Sequence, residues 1–224
     1  MENITIIEFN RSEWAIQAAS LIDEKVRNFL NHKGVCSVML TGGNNAANLY
    51  KAWSRLPSFN KLSGVSFYFG DERCVNPTHI ESNYNLVMRT LFDLGLPLGC
   101  KIFRIKSERT SRDEEAIRYD SLIPKVIDVL LLGVGDDGHI ASIFPFSNIL
   151  HELERGVVYF KRPNGLIDRF TITPKVIKNS QFCFLLAGSE AKIRVLAKAK
   201  SNPANIESMP VRLLSNGIWL TSCS

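Results

Sequence analysis

Short apolar segments alternate along this chain with segments in which apolar residues recur at every third or fourth position. This alternation constrains the fold more than any other feature. The short segments predict strands at residues 35–40, 65–69, 102–105, 129–132, 157–160, 170–173, 182–186 and 218–221. The periodic segments predict helices at residues 14–29, 49–56, 84–94, 114–122 and 191–199, the first capped by Ser12 and ended by Gly34. Such an order is typical of an α/β fold with one mostly parallel, doubly wound, Rossmann-like sheet that carries helices on both faces.

Polar residues follow four of the predicted strands at the point where each strand ends. After residues 40, 69, 132 and 186 the chain continues as Thr-Gly-Gly-Asn-Asn, Gly-Asp-Glu-Arg, Gly-Val-Gly-Asp-Asp-Gly-His and Ala-Gly-Ser-Glu-Ala-Lys. The carboxyl ends of parallel strands meet at one edge of a sheet, so we expect these groups to converge on one crevice. The third segment brings the imidazole of His139 and two carboxylates to a glycine loop, which makes it the strongest candidate for chemistry.

The same loop also fits the G-x-G-x-x-G pattern of a dinucleotide-binding turn, at residues 133–138. Pyrophosphate would then sit on the N-terminus of a long helix, whereas Pro145 interrupts any helix that begins here. Asp136 and Asp137 would also face the pyrophosphate with like charge. The sequence therefore argues against a nicotinamide or flavin cofactor.

Length and composition predict a single domain over residues 1–224. Apolar residues make up 45% of the chain and charged residues 22%, which suits one full core, and no repeat or linker interrupts it. No apolar stretch approaches the roughly 20 residues that span a bilayer, and the N-terminus lacks a signal-peptide pattern, so we expect a cytoplasmic protein without a membrane partner. The net charge of +5 is spread along the chain, which favours an anionic substrate over a nucleic acid. The sequence makes no prediction about the oligomeric state.

Two features point to an anion-binding site in the crevice. Gly42 and Gly43 immediately precede a predicted helix, so the backbone can turn its N–H groups toward an anion at the positive end of the helix dipole. An ordinary strand-to-helix turn explains these glycines equally well. Lys192 favours the anion, because a cation in the first turn of a helix capped by Ser189 opposes the dipole unless a phosphate offsets it.

Several sequence blocks follow one another in a characteristic order. They are Leu-Thr-Gly-Gly at 40–43, Gly-Asp-Glu-Arg-Cys-Val at 70–75 with Ser-Asn-Tyr at 82–84, Gly-x-Gly-x-Asp-Gly-His-x-Ala-Ser-x-Phe-Pro at 133–145, Arg-Phe-Thr-Ile-Thr at 169–173, Gly-x-x-x-Lys at 188–192, and Pro210 before a closing strand. Together they resemble the 6-phosphogluconolactonases, enzymes of the oxidative pentose phosphate pathway. The resemblance implies hydrolysis of 6-phospho-D-glucono-1,5-lactone, a phosphorylated sugar lactone, to 6-phospho-D-gluconate.

The glucosamine-6-phosphate deaminases belong to the same family and share the glycine loop and the Asp-Gly-His sequence. Deaminases usually carry Asp-Glu-Tyr where this chain has Asp71-Glu72-Arg73, and Asp-Gly-His-Ile-Ala-Phe-Asn-Glu-Pro where it has Asp-Gly-His-Ile-Ala-Ser-Ile-Phe-Pro at 137–145. The missing glutamate is an acid/base group that ring opening and isomerisation require. The sequence therefore favours the lactonase branch.

The resemblance also assigns roles to individual residues. The residues implied to hold the substrate phosphate are Gly42, Gly43, Asn44, Arg73, Arg169 and Lys192. In the glycine loop the family usually reads Ser-Gly-Gly-x-Thr-Pro, whereas this chain reads Thr-Gly-Gly-Asn-Asn-Ala at 41–46, so the threonine hydroxyl and the proline are absent. The backbone N–H groups of Gly43 and Asn44 remain, and Asn45 is the candidate substitute for the threonine donor. Asp71 is implied to orient Arg73 or to contact sugar hydroxyls, and a solvated loop position explains Glu72 equally well.

His139 is the candidate general base. Lactone hydrolysis requires water to lose a proton as it attacks the C1 carbonyl, and an imidazole titrates in the right range for this transfer. The imidazolium can then return the proton to the ring oxygen, while Asp137 positions either His139 or a substrate hydroxyl. The sequence has no histidine or cysteine cluster at metal-ligand spacing and no G-x-S-x-G serine, so this scheme uses neither a metal nor a cofactor.

A non-catalytic sugar-phosphate sensor is the alternative from another functional class, since related sheets serve as effector domains of transcription regulators. Such a protein would keep the glycine loop and the basic phosphate contacts but would not need His139. It would usually also carry a DNA-binding helix pair, for which this chain has no room. We therefore expect an enzyme.

Overall fold

The computed structural model describes residues 4–201, 205–214 and 216–223. Its strands are β1 (Thr5–Asn10), β2 (Cys36–Leu40), β3 (Val65–Phe69), β4 (Asp71–Arg73), β5 (Lys101–Ile102), β6 (Ile127–Gly133), β7 (Val157–Phe160), β8 (Arg169–Ile172), β9 (Ser180–Ala187) and β10 (Ile218–Cys223). Its α-helices are α1 (Trp14–Lys33), α2 (Asn44–Trp53), α3 (Asn83–Thr90), α4 (Arg112–Leu122), α5 (Pro174–Lys178) and α6 (Glu190–Ser201). Short 3-10 helices occupy Phe59–Lys61, Asn148–His151 and Pro210–Leu214.

The centre of the molecule is a 7-stranded sheet with the strand order β1-β10-β9-β6-β2-β3-β5. Every neighbouring pair in it is parallel, which confirms the predicted α/β fold class. β2 is buried along its whole length, and so is β6 up to its last residue, Gly133. A parallel strand with both faces covered buries both sets of its side chains, which is why these strands appear in the sequence as uninterrupted apolar runs.

α1 shows how the amphipathic helices attach to this sheet. Its buried residues recur at three- and four-residue steps and include Trp14, Ala18, Ile22 and Val26. Burial of each of the larger side chains stabilises the fold by about 1.5–3 kcal/mol. None of the helices in the described part of the chain is long and apolar enough to cross a membrane.

The two ends of α1 differ from each other in how well the sequence predicted them. Gly34 ends the helix as predicted, with φ of 74° and its N–H donating to the Leu30 carbonyl at 2.8 Å. The predicted cap at Ser12 is wrong, because the N-cap position is Glu13 and no side chain caps the helix. The Ser12 hydroxyl instead donates to Asn10 Oδ1 at 3.0 Å, within the turn that leaves β1.

A second sheet has three antiparallel strands in the order β4-β8-β7. β4 continues from β3 after the single residue Gly70, so this small sheet begins at the carboxyl end of the parallel one. β7 and β8 are strands as predicted, but they pair with each other rather than joining the parallel sheet. β4 was predicted only as a polar segment after a strand. Its register places Asp71 opposite Thr171 and Arg73 opposite Arg169.

The sequence prediction also missed β1 and α5. β1 pairs in parallel with β10, at the edge of the large sheet. Its residues are only exposed or half-buried, so the strand lacks the apolar run that marks the central strands. Of the strand predicted at residues 102–105, only Ile102 lies in a strand, which is β5 (Lys101–Ile102).

Candidate active site

The carboxyl ends of four parallel strands, β2, β3, β6 and β9, open on one cavity of about 510 Å³. This agrees with the expectation that the polar residues after these strands converge. Of the residues predicted to form the site, those that line the cavity are Gly42, Gly43, Asn44, Asp71, Arg73, His139 and Lys192. Asp137 and Arg169 do not line it, but each lies next to a residue that does.

The glycine loop presents the N-terminus of α2 to the cavity. Gly43 is the N-cap residue with φ of 95°, a left-handed conformation that glycine adopts without strain. No side chain caps α2 and no acidic residue lies in its first turn, so its first N–H groups are available to an anion. The amide of Asn45, a candidate substitute for the family threonine, instead donates to the Leu186 carbonyl at 3.3 Å.

The imidazole of His139 is held by Asp137. Nδ1 of His139 lies 2.6 Å from Asp137 Oδ1, and the His139 backbone N–H donates to the same oxygen at 3.1 Å. Burial raises the pKa of Asp137, but the hydrogen bond and the charge of His139 outweigh it and bring that pKa to about 2. Because Asp137 is then ionised, it accepts a hydrogen bond from Nδ1–H, which leaves Nε2 as the basic nitrogen.

The ring of His139 folds back over its own loop, and Gly135 makes this possible. A Cβ at residue 135 would overlap the imidazole at Nδ1 and would also crowd Asp137 Oδ1. The Gly135 backbone N–H donates to the His139 carbonyl at 2.8 Å, which closes the loop. Gly135 is also the second glycine of the G-x-G-x-x-G pattern. In this structure it makes room for the His139 imidazole rather than for a pyrophosphate.

Asp71 is buried in the wall of the cavity and is held by two side chains. Asn83 Nδ2 donates to Asp71 Oδ1 at 2.9 Å, and the Ser142 hydroxyl donates to Asp71 Oδ2 at 2.8 Å. Ser142 is itself buried. Asp71 thus joins the small sheet, α3 and the His139 segment at one carboxylate.

Glu72 belongs to β4, and its side chain is buried against the N-terminus of α3. The alternative interpretation of Glu72 as a solvated loop residue is therefore wrong. Its carboxylate accepts hydrogen bonds from the backbone N–H groups of Asn83 and Tyr84, both at 2.8 Å, and from the Ser82 hydroxyl at 3.1 Å. Burial raises the pKa of Glu72, although these backbone donors oppose the effect. Glu72 fixes the turn that places Asn83 beside Asp71.

Arg73 and Arg169 lie opposite each other on the antiparallel pair β4–β8. The guanidinium of Arg73 lines the cavity and donates to the Glu81 carbonyl. Arg169 donates to the backbone carbonyls of Ile167 and Asp168, outside the cavity lining. Burial, together with the like charge of Arg73, lowers the pKa of Arg169. Two facing cations favour an anion at this edge of the cavity.

Lys192 lies in the first turn of α6, as predicted, and lines the cavity. Its Nζ is 2.7 Å from Asp136 Oδ1, and this contact lowers the pKa of Asp136. The sequence prediction had assigned a phosphate alone to offset the unfavourable position of this cation at the helix N-terminus. In the structure Asp136 fills that role, so an incoming phosphate would exchange places with a carboxylate.

The cavity also contains residues that the sequence reasoning did not assign to it, among them Asn48, Asn83 and Ser189. Asn48 follows Asn44 by one helical turn on α2, a spacing that could have indicated a shared face. Asn83 was part of a recognised block but had no role. Within residues 4–201, 205–214 and 216–223, no group of three or more histidine, cysteine or acidic side chains is placed to hold a metal ion.

Comparison of the sequence with protein families and with known proteins identifies the same family each time. A family model described as glucosamine-6-phosphate isomerases/6-phosphogluconolactonase matches residues 10–220. A 6-phosphogluconolactonase of Haemophilus influenzae is 32% identical over 190 residues, which cover 81% of this chain and 78% of the relative. A protein of Saccharomyces cerevisiae named 6-phosphogluconolactonase 3 is 31% identical over 195 residues, covering 80% of this chain and 78% of the relative.

Solved structures show the same fold. The crystal structure of a 6-phosphogluconolactonase from Shewanella baltica matches with a TM-score of 0.86 at 24% identity, covering 99% of each chain. The 6-phosphogluconolactonase from Trypanosoma brucei matches with a TM-score of 0.82 at 23% identity, covering 98% of this chain and 96% of that one.

Proposed function

The chain belongs to the glucosamine-6-phosphate isomerase/6-phosphogluconolactonase family, and we propose that it hydrolyses 6-phospho-D-glucono-1,5-lactone to 6-phospho-D-gluconate in the oxidative branch of the pentose phosphate pathway. The relatives that cover most of its length carry the name of this activity. The observation that carries the proposal is that the Asp137-His139 pair lies at a cavity lined also by the N-terminus of α2 and by two cations, Arg73 and Lys192.

His139 acts as the general base in this proposal. With Nδ1 bound to Asp137, Nε2 takes a proton from water as the water oxygen attacks C1 of the lactone. The C1 carbonyl becomes a tetrahedral oxyanion, which collapses and breaks the bond between C1 and the ring oxygen. The imidazolium then gives its proton to that oxygen as it leaves. Water is consumed, the ring opens, and His139 returns to its neutral state.

The substrate phosphate is assigned to the N-terminus of α2 and the cations that share its cavity. There the N–H groups of Gly43 and Asn44, the ammonium of Lys192 and the guanidinium of Arg73 line one space. Arginine and lysine bind phosphate through charge-assisted hydrogen bonds, and the α2 dipole adds to their effect. Arg169 lies opposite Arg73 and adds a further positive charge near the phosphate. Binding at the phosphate end orients C1 toward His139.

The deaminase reaction of the same family needs a further acid/base group, which the deaminases carry in their Phe-Asn-Glu-Pro segment. Where the deaminases have Phe-Asn-Glu-Pro this chain has Ser-Ile-Phe-Pro at 142–145, so Phe144 stands in place of the glutamate. The Ser142 hydroxyl donates to Asp71. The neighbouring Ile143 is buried and apolar. The segment therefore offers no carboxylate for isomerisation, which favours lactone hydrolysis.

A direct assay tests the proposal. Purified protein is mixed with freshly prepared 6-phospho-D-glucono-1,5-lactone, and the rate of ring opening is compared with spontaneous hydrolysis in the same buffer. We expect a rate well above the background that persists in EDTA, and no ammonia from glucosamine 6-phosphate. Ammonia release at a comparable rate would place the protein in the deaminase branch, and binding without turnover would indicate a sensor.

A further inference from the structure

The ring of Phe144 packs against the imidazole of His139, with the ring centroids 4.6 Å apart and the planes inclined by 43°. The hydrogen bond from Nδ1 to Asp137 fixes one point of the imidazole but still allows the ring to tilt about that bond. A second contact on the ring removes this freedom. Phe144 is the residue that supplies it.

Phe144 is itself held by a cation. The guanidinium carbon of Arg162 lies 3.9 Å from the centroid of the Phe144 ring, which is a close cation–π contact. The Arg162 backbone N–H donates to Asp168 Oδ1 at 2.9 Å, and the Tyr159 hydroxyl donates to Asp168 Oδ2 at 2.8 Å. The segment that carries the guanidinium is thereby tied to the end of β7.

Core packing alone does not fix the Phe144 ring. The ring is only partly buried and lines a second cavity of about 570 Å³ together with Asp137, Phe160 and Arg162. Phe160 stands edge-on to it, with centroids 6.1 Å apart. Because open space borders the ring, its orientation depends on the contacts with Arg162 and Phe160.

We propose that Phe144 and Arg162 are positioning residues for His139: the guanidinium holds the Phe144 ring, and the ring holds the imidazole with Nε2 toward the attacking water. This inference rests on the proposed lactone hydrolysis, in which His139 is the base. Misplacement of a reacting group by about 1 Å can cost up to ~10²-fold in rate. Loss of the ring should therefore lower kcat by roughly 10- to 100-fold and leave KM nearly unchanged, since the phosphate contacts lie elsewhere.

The kinetic test compares Phe144→Leu, Phe144→Tyr and Arg162→Ala with the wild-type protein. Leucine keeps an apolar side chain but removes the ring, whereas tyrosine keeps the ring. We expect kcat to fall in Phe144→Leu, to fall less in Arg162→Ala, and to return close to the wild-type value in Phe144→Tyr. Phe146→Leu is the matched control, because Phe146 lies two residues away and its side chain is 72% exposed. A wild-type kcat in Phe144→Leu, or a loss that tyrosine does not restore, would overturn the proposal.

A second readout separates this inference from the proposed function. The ring current of Phe144 shifts the carbon-bound proton resonances of the His139 imidazole, which can be followed by NMR in the wild-type protein and in Phe144→Leu. We expect these resonances to move in Phe144→Leu and to stay in place in Phe146→Leu. Unmoved resonances would refute the positioning contact even in an active enzyme. An inactive wild-type protein with the expected shifts would refute lactone hydrolysis and leave the contact standing.

Discussion

The parallel and the antiparallel sheet contribute different kinds of group to the cavity. The parallel sheet delivers backbone N–H groups and His139, all on loops that follow buried strands. The antiparallel sheet delivers Asp71 and Arg73 from within a strand, with Arg169 alongside. A loop at the end of a buried strand is fixed by the packing of that strand, so it can hold one group in a strict geometry. A small sheet instead presents a row of charged side chains.

This difference suggests a division of work, with proton transfer on the parallel sheet and recognition of the anion shared with the antiparallel one. Single substitutions test this division when their effects on kcat and on KM are measured separately.

The largest effect is expected at the end of β6. Replacing His139 by alanine removes the proposed general base, which typically costs ~10²–10⁴-fold in rate. Binding of 6-phosphogluconate should persist, because the phosphate contacts are untouched. Steady-state kinetics and calorimetry measure the two quantities. His151→Ala is the control, since that imidazole is exposed and pairs with Glu207. A loss smaller than about tenfold would remove His139 from its role.

Substitutions in the antiparallel sheet should act mainly on KM. Arg73→Ala removes a charged hydrogen-bond donor worth about 1.5–3 kcal/mol, so KM should rise roughly 10- to 100-fold with a smaller change in kcat. Arg169→Ala should raise KM less, because Arg169 lies outside the cavity lining. Arg155, exposed and paired with Glu152, provides the control variant Arg155→Ala. If kcat fell in Arg73→Ala as far as in His139→Ala, the division between the two sheets would not hold.

The hydrogen bond between Ser142 and Asp71 links the loop after β6 to β4 of the small sheet. Its loss should therefore lower the free energy of unfolding. Ser142→Ala leaves a buried carboxylate with one donor fewer, at a cost of about 1–3 kcal/mol in the free energy of unfolding. Denaturant titration measures this change, with Ser121→Ala on the exposed surface as control. If Ser142→Ala were as stable as Ser121→Ala, the hydrogen bond between Ser142 and Asp71 would contribute nothing to stability.

The smallest effect concerns pH. The pKa of Asp137 falls from 3.8 to about 2 in the folded protein, so its interaction with His139 stabilises the fold above pH 3.8 and loses this contribution as the pH falls toward 2. The side chain is about half exposed, which limits the size of the effect. The difference in Tm between the wild-type protein and Asp137→Asn should shrink as the pH falls from 3.8 toward 2. A difference that grows on acidification would contradict the assignment.

The sequence predicts correctly those strands and loops whose structure is determined by the residues within them. β3 and β7 match the predicted strands at both ends, and the loop around His139 was recognised from the residues that follow β6. β1 was missed because its place at the sheet edge depends on β10, at the other end of the chain. The antiparallel sheet was missed for the same reason, since β4 becomes a strand only by pairing with β8.

The candidate site divides in the same way. The glycine loop and His139 are readable because each sits in a short, distinctive stretch of sequence. The pairing of Lys192 with Asp136 joins two residues 56 positions apart, and the hold of Ser142 on Asp71 joins two that are 71 apart. Such contacts are set by the tertiary fold, so sequence reasoning identified most of the candidate residues that line the cavity but not the partners that fix them.

Gly135 has a consequence for how this sequence can vary. Its backbone is not left-handed, so the requirement for glycine comes from neighbouring side chains, the His139 imidazole first and the Asp137 carboxylate second. Residues 135 and 139 are therefore epistatic: any side chain at 135 is excluded while histidine occupies 139. In a background with a smaller residue at 139, only the Asp137 carboxylate still crowds a Cβ at 135, so alanine there becomes easier to accommodate. A lineage that lost its histidine would be free to lose this glycine next, and that order of loss would record the end of selection for the reaction.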